Sequence, residues 1–314
     1  MAKKRTKFIR NLIRKLGYDL RRLETVIVHA EDPESTLGQE YGLDAYEALL
    51  PRNVERLDIL FRSCSGVEIF GQERKRLLSA PKSEVIVRCL NSLVKSIAHA
   101  VKNGVDIPIT LTVFDDHSES ACVEKMKKIL MTSPIETNFI DLEVKGNGPS
   151  VGAAYRHARD HFKDLIYFVE DDYLHEIQAV LEFVRSYERL AGTLDKELIL
   201  HPADRTGAYR HIRPAQVYLG SHRHWRSSDE TTFTMVTSRE ILEKYWDWFI
   251  GLEKYGIDPK VTEATTIFPI FREVPCLMPI PSLTVHFQQF DEISPLVDWR
   301  SWWKQAGEGL AETD

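Results

Sequence analysis

The sequence has few cysteines and no long apolar run. Its 314 residues include four cysteines, Cys64, Cys89, Cys122 and Cys276, without a CxxC pair or a short metal-ligand spacing. That spacing excludes a disulfide scaffold and a zinc finger. No stretch approaches the roughly 18 to 20 apolar residues of a membrane span, and charges occupy the place of a signal peptide's apolar core. We therefore expect a cytoplasmic protein with reduced cysteines in its core.

Glycine-rich phosphate loops are also missing. The first β-rich run, LDILFRSC at 57–64, continues as SGVEIFG and does not contain G-x-G-x-x-G. This absence argues against an enzyme that binds a dinucleotide or a methyl donor through such a turn.

Charge is distributed unevenly along the chain. Residues 1–22 carry nine basic side chains and one acid, a charge of +8, which leaves −14 for the remainder. Apolar residues recur among these cations at helical spacing: Phe8, Ile9, Leu12, Ile13, Leu16 and Leu20. The pattern predicts an amphipathic helix that binds either an anionic membrane surface or the chain's own acidic part. Nucleic acid is not expected as a partner, because the main part is acidic.

From about residue 54, β-rich runs alternate with helical runs. This order predicts an α/β fold with a mostly parallel central sheet and flanking helices. Strands are predicted at 57–64, 107–114, 137–144, 165–169, 198–201, 231–237 and 276–287, and helices at 85–101, 155–162, 239–249 and 263–271, with one more through Met126 and Ile129. We expect a helical extension at 1–50, a catalytic domain at 51–290 and an aromatic C-terminal segment at 291–314.

Polar clusters follow three of the predicted strands. They are Arg62 with Ser63, Asp115 with Asp116, and Glu170, Asp171 and Asp172. Ligands bind at the carboxyl ends of strands in open α/β sheets. Three adjacent carboxylates repel one another, and Mg²⁺ or Mn²⁺ bridging to phosphate oxygens would compensate them. The alternative is a solvated acidic turn that caps the next helix.

In their order along the chain, these clusters resemble those of family-two glycosyltransferases, which have the GT-A (Rossmann-like) fold. The resemblance extends from about Leu57 to Phe287. VFDDHSES is similar to the segment that receives the nucleotide's base and ribose, which nominates Asp116 and then Asp115. GNGPSVGAAYRHA is similar to the loop and helix that carry an arginine, here Arg156.

YFVEDDYL resembles the DxD motif in its EDD form, as in N-acetylglucosaminyltransferases of the Golgi type. The resemblance implies that Asp172 ligates the metal directly, while Glu170 and Asp171 hold the ribose and the metal's waters. SLTVHF is similar to the closing strand whose histidine completes the metal or diphosphate site, which nominates His286.

The same resemblance places the catalytic base at the start of a helix before that histidine, at Glu263. The match is imperfect, because the family's Glu-Asp pair is Glu263 followed by Ala264 here. Asp229 and Glu230 are the competing bases, and Asp258 is a weaker one. An inverting transfer needs such a carboxylate opposite the leaving group.

Two further segments have open roles. The basic and aromatic stretch 205–226 suits either an anionic acceptor or the leaving diphosphate, since arginine pairs bidentately with phosphate. The tryptophans of VDWRSWWKQ are expected to pack as a terminal helix.

The resemblance implies a metal-dependent, inverting glycosyltransferase with a nucleotide-sugar donor, a UDP-sugar by expectation, and a glycan or lipid-linked acceptor near a membrane's inner face. Two alternatives stay open. One is a sugar nucleotidylyltransferase, although such an enzyme normally begins with a glycine-rich loop that is missing here. The other is a catalytically inactive scaffold.

Overall fold

The computed structural model describes residues 51–66, 78, 80–209, 214–288 and 293–310. All of them belong to the compact unit that follows residue 49. The predicted basic helix at 1–22 lies outside the described residues, as do Arg210 and Arg213. Within the described part of the chain, no helix is long and apolar enough to cross a membrane.

A nine-stranded sheet forms the centre of this unit, in the order β3-β2-β1-β4-β9-β6-β10-β8-β7, and β5 pairs with β11 in a separate sheet. The strands are β1 (Leu57–Ser63), β2 (Ile109–Asp115), β3 (Glu136–Asp141), β4 (Leu165–Glu170), β5 (Tyr173–His175), β6 (Ile199–Leu200), β7 (Val217–Leu219), β8 (His224–Ser228), β9 (Met235–Ser238), β10 (Cys276–Ile280) and β11 (Thr284–His286). All strands of the large sheet run in one direction except β8 and β9.

Helices cover the sheet. They are α1 (Lys82–Lys102), α2 (Ser120–Leu130), α3 (Asn147–His161), α4 (Ala179–Leu194), α5 (Arg239–Lys244), α6 (Trp246–Gly251), α7 (Glu263–Thr266) and α8 (Trp299–Gly307). Two hydrophobic clusters lie against the sheet, one including α1, α2 and α4, the other including α3, α5 and α6. The predicted fold class, α/β with a mostly parallel central sheet and flanking helices, is therefore confirmed.

The first half follows the predicted elements closely, because its strands are apolar runs and its helices have one apolar face. β4 is buried from Leu165 to Val169 and ends at the half-buried Glu170. The predicted loop KGNGPSVG is the exception, since α3 already begins at Asn147 within it. Pro149 stands in the first turn of α3, where the missing N–H of a proline costs nothing.

The second half departs further from the prediction. The single strand expected at 276–287 is two strands, because the chain leaves the large sheet after Ile280 and pairs β11 with β5. The helix expected at 239–249 breaks at Tyr245 into α5 and α6. Helix α4 was not predicted, although its buried residues Val180, Phe183, Val184, Tyr187 and Leu190 recur at helical spacing.

The C-terminal tryptophans pack on α1, as expected for a terminal helix. Arg88 lies over the ring of Trp303 at 4.6 Å, and Asn91 donates from its amide to the carbonyl of Ala306 at 2.8 Å. Trp299 and Trp303 both contact the ring of Phe287 edge-on. These contacts attach α8 to the main hydrophobic core, just beyond the strand that carries His286.

Candidate functional site

The three polar clusters meet at one edge of the sheet. Strand β1 lies between β2 and β4, and its register places Ser63 beside Asp115 and Arg62 beside Glu170. Because these strands are parallel, their carboxyl ends open on the same side. The sheet therefore brings the predicted site residues at the carboxyl ends of β1, β2 and β4 close together.

Each carboxylate of the acidic triplet has a basic partner within the protein. Glu170 pairs with Arg62 at 3.1 Å, and Asp171 pairs with Lys82 at 3.5 Å. The third pair joins Asp172 to His286 at 3.4 Å. Basic groups of β1, α1 and β11 therefore offset part of the negative charge of the triplet.

Asp171 has its carboxylate engaged. Its Oδ2 atom accepts a hydrogen bond from the backbone N–H of Cys64 at 2.8 Å, in addition to the ion pair with Lys82. Burial raises the pKa of Asp171, Lys82 opposes the shift and Asp172 adds to it. These contacts fix the turn after β4 and suit a structural role beside the site.

Asp172 retains a free acceptor. Its Oδ1 atom is buried and has no hydrogen-bond partner among the described residues. Burial opposes ionisation, but His286 and Lys82 outweigh it and hold the pKa of Asp172 below its usual value. The backbone supports this position, since Phe287 donates its N–H to the carbonyl of Asp172 at 3.0 Å. The ring of His286 stacks on Tyr173 at 4.4 Å.

Asp115 and Asp116 hold the loops at the end of β2. Asp115 accepts hydrogen bonds from the Ser63 hydroxyl and the backbone N–H of Ser118, both at 2.8 Å. Asp116 accepts from the backbone N–H of Gly146 at 2.8 Å, which ties the start of α3 to β2. A cavity of about 500 Å³ opens beside Asp115 and is lined by residues of α2 and the end of β3.

Arg62 joins the triplet to α3. Its guanidinium donates to the side chains of Asn147 at 2.7 Å and Ser150 at 2.9 Å, and it lies over the ring of Phe233 at 4.9 Å. Arg156, the arginine that the family resemblance nominated, is instead 48% exposed and pairs with Glu253 at 2.6 Å. Of these two arginines, the structure places Arg62 in contact with the acidic triplet.

Glu263 lies at the first position of α7 and is half-buried. Burial raises the pKa of Glu263, the negative charge of Glu170 adds to the shift, and Arg62 and His286 oppose it. Burial is the main cause that raises the pKa of the half-buried Tyr255, and the negative charges of Glu263 and Glu170 add to the shift. Glu263 therefore shares the electrostatic surroundings of the triplet, and Tyr255 is a neighbour that the sequence did not single out.

The competing bases have other surroundings. Glu230 forms an ion pair with Arg205, and its backbone carbonyl accepts from the Ser228 hydroxyl at 2.9 Å. Asp229 is exposed. Both residues lie in the turn between β8 and β9.

The basic stretch 205–226 divides into two parts. His222 and Arg223 form the turn between β7 and β8, where their backbone N–H groups donate to the buried Glu182 and the Arg223 side chain pairs with Glu176. Arg205, by contrast, lies beyond β6 in its pair with Glu230. These contacts give the turn a structural role.

A glycine contact positions the segment that leads to Glu263. A Cβ atom at Gly148 would lie 2.2 Å from the carbonyl oxygen of Glu253 and 2.4 Å from that of Tyr255. We expect Gly148→Ala to lower stability by roughly 1–3 kcal/mol through overpacking, although alanine favours helix. Thermal unfolding checks this, with Gly207→Ala as the control because its Cβ would have 3.9 Å of room. Equal stability of both variants would contradict the close contact.

Two buried histidines make stability depend on pH. Burial lowers the pKa of His175 and of His201 to about 3. Below about pH 6.5 the unfolded chain binds protons that the folded chain does not, so the unfolding free energy falls by up to about 1.4 kcal/mol per pH unit for each histidine. We expect His201→Gln to lose less stability than wild type between about pH 7 and pH 5 in urea titrations. Identical pH slopes would contradict this.

Comparison with known proteins yields structural similarity only. No protein-family model and no curated protein matches the sequence. The mannosyltransferase PcManGT from Pyrobaculum calidifontis, solved with GDP-Man and Mn²⁺, aligns with a TM-score of 0.47 and 13% identity, over 85% of this chain and 66% of that one. TarS from S. aureus gives 0.44 and 11%, over 71% of this chain and 35% of TarS.

A nucleotidyltransferase is similar to the same degree. The inositol-1-phosphate CTP transferase from T. maritima gives a TM-score of 0.41 and 13% identity, over 83% of this chain and 99% of that one. The chain spans about a third of TarS. At these values the similarity concerns the course of the chain and does not specify a reaction.

Proposed function

We propose that the protein is a glycosyltransferase that takes a sugar from a nucleotide diphosphate donor, with UDP as the nucleotide, and inverts the anomeric carbon. The observation that carries this proposal is the meeting of Arg62, the acidic triplet and His286 at the carboxyl edge of the sheet, with Glu263 within electrostatic range of Glu170 and Arg62. Within the described residues, that edge combines a carboxylate with a free acceptor atom and a second carboxylate on a different element. The acceptor we propose is a glycan or a lipid-linked glycan.

The donor would lie along the ends of β1, β2 and β4. The cavity beside Asp115 has room for a nucleobase, and Asp116 follows Asp115 on the loop tied to Gly146. We propose that Glu170 binds the ribose and Arg62 the diphosphate, because carboxylates accept from hydroxyls and arginine donates to phosphate. Arg156 remains a proposed contact only if its pair with Glu253 opens.

The residues around Asp172 fit a divalent cation that takes some of its ligands from the protein and others from the phosphates of the nucleotide. Among the described residues, no group of three or more His, Cys, Asp or Glu side chains encloses a metal site. Mg²⁺ and Mn²⁺ bound with nucleotides need fewer protein ligands, since phosphates and waters supply the others. Asp172 would hold the ion through its free Oδ1 atom, with His286 beside it. When bound, the ion would neutralise charge on the leaving diphosphate.

Glu263 is the proposed general base. A carboxyl group with a raised pKa accepts a proton more readily than an exposed one, and catalytic bases are commonly tuned in this way by burial. Its position on α7 separates it from the triplet in sequence. Asp229 and Glu230, in the turn between β8 and β9, are the proposed substitutes.

Calorimetric titration tests the proposal. Nucleotides and nucleotide sugars, including UDP-GlcNAc and GDP-mannose, would be titrated into the protein with Mn²⁺ and then with a chelator. We expect one diphosphate nucleotide to bind only with the metal. Binding of a nucleoside triphosphate together with a sugar phosphate would favour a nucleotidylyltransferase, and no binding of any nucleotide would favour a scaffold.

The N-terminal segment is proposed to bind an anionic membrane surface. The observation behind this proposal is the charge of +8 on residues 1–22 with its helical apolar pattern. Removing these residues should reduce partition to vesicles that contain phosphatidylserine, by about 1 kcal/mol for each basic residue that lies near the surface. Unchanged partition after the deletion would refute it.

A further inference from the structure

Tyr155 lies on α3, one position before Arg156, and its side chain points about 100° away from that of Arg156 around the helix axis. Its side chain is fully buried, and its ring contacts Phe168, Phe233 and Phe249 at centroid distances of 5.1, 5.6 and 5.3 Å. The hydroxyl is buried and has no hydrogen-bond partner among the described residues. A buried hydroxyl without a partner destabilises the fold, because it has given up its bonds to water.

Other fully buried tyrosines of the described chain have partners for their hydroxyls. Tyr167 bonds His175 at 2.8 Å, Tyr173 bonds Thr232 at 2.8 Å, and Tyr187 donates to Glu197 at 2.7 Å. Phenylalanine would fill the aromatic pocket of Tyr155 equally well. Packing therefore does not account for the hydroxyl.

Within the described part of the chain, a second buried group without a hydrogen-bond partner belongs to Arg62, which lies over the ring of Phe233. The Nε atom of Arg62 is buried and has no hydrogen-bond partner among the described residues. The guanidinium of Arg62 lies 4.9 Å from the ring of Phe233, which Tyr155 also contacts. Arg62 contributes a donor without an acceptor, and a phenol can accept one hydrogen bond while donating another.

The charged neighbours of the Tyr155 hydroxyl are residues of the proposed active site. Burial is the main cause that raises the pKa of Tyr155; Arg62 opposes the shift, and Glu170 and Glu263 add to it. The hydroxyl therefore lies within the electrostatic reach of both the donor-binding arginine and the proposed base. Glu170 is already bonded to Arg62 and to Thr234, whereas Glu263 has no such side-chain partner within the described chain.

We infer that Tyr155 is a positioning residue whose hydroxyl accepts from Arg62 and donates to the carboxylate of Glu263 when a nucleotide sugar occupies the site. This inference rests on the proposed function. These two hydrogen bonds would link Arg62, beside the diphosphate, to Glu263. They would hold the carboxylate of Glu263 next to the acceptor.

The test compares Tyr155→Phe with Tyr187→Phe, which removes a hydroxyl bonded to Glu197. The rate of UDP release from UDP-GlcNAc gives kcat and KM, and thermal unfolding gives Tm. For Tyr155→Phe we expect an equal or higher Tm, an unchanged KM and a kcat at least tenfold lower. For Tyr187→Phe we expect the reverse, a lower Tm with kcat within twofold of wild type.

Two results would overturn the inference alone. They are a kcat of Tyr155→Phe equal to wild type, and a fall in Tm for Tyr155→Phe as large as that for Tyr187→Phe. The second result would show that the hydroxyl is already bonded in protein to which no nucleotide has been added. Wild-type protein that neither binds nor cleaves UDP-GlcNAc or any other nucleotide sugar would refute the proposed function, and the inference with it. The wild-type measurement thus separates the two failures.

Discussion

Replacing Asp172 by asparagine should abolish metal-dependent nucleotide binding while the fold stays intact. Asparagine keeps the size of the side chain and its contact with His286, but it removes the negative charge that a divalent cation requires. We expect the affinity for UDP in the presence of Mn²⁺ to fall at least about 100-fold, which corresponds to about 2.7 kcal/mol. Calorimetry measures the affinity, and thermal unfolding verifies the fold.

Asp171→Asn is the matched control for this prediction. The two residues are adjacent, but Asp171 accepts from Cys64 and pairs with Lys82, whereas Asp172 has the free Oδ1 atom. The control should lose stability and keep a larger part of its Mn²⁺ dependence. If Asp171→Asn lost the metal response and Asp172→Asn retained it, the assignment of the direct ligand would be reversed.

Replacing Glu263 by glutamine should slow sugar transfer and leave the affinity for the donor nucleotide nearly unchanged. The amide cannot accept the acceptor's proton, and the loss of a general base typically costs between about 10² and 10⁴ in rate. Nucleotide affinity should stay within about twofold to threefold of wild type, because Glu263 is not among the proposed donor contacts. Initial rates of UDP release and calorimetry with UDP together give the two quantities.

The pH profile offers a second readout for Glu263. Its pKa is raised by burial, so the carboxylate becomes protonated at a higher pH than an exposed glutamate would. The wild-type rate should fall as pH decreases through this raised pKa, and Glu263→Gln should lack that acidic limb. Glu230→Gln and Asp229→Asn are the comparison variants. Normal activity of Glu263→Gln with an inactive Asp229 or Glu230 variant would move the base to that turn.

Much of the site was predictable because the signals are local. An apolar run ending in carboxylates marks the carboxyl end of a strand, and this placed Asp115, Glu170 and Asp172 at one edge of the sheet. The partners of those carboxylates were not predictable. Lys82 sits in the first turn of α1, and its approach to Asp171 depends on how that helix packs across β1 and β4.

The neighbouring positions on α3 show where a sequence motif reaches its limit. The resemblance pointed to the arginine of GAAYRHA, and a change of one position along a helix turns a side chain by about 100°. Gly148 and Gly152 allow the segment around Glu253 to pack closely on α3. That contact gives Arg156 its partner, whereas Tyr155 packs on Phe233, the ring that Arg62 also contacts.

The sequence by itself determined the α/β class and the strand ends that carry the acidic groups. These follow from periodicity and from the order of polar clusters along the chain. Only the tertiary structure decided which basic group neutralises which carboxylate, which oxygen of Asp172 is left free and which residue of α3 faces the site. Such pairings join residues far apart in sequence, and they are set by the packing of helices and strands that no local pattern encodes.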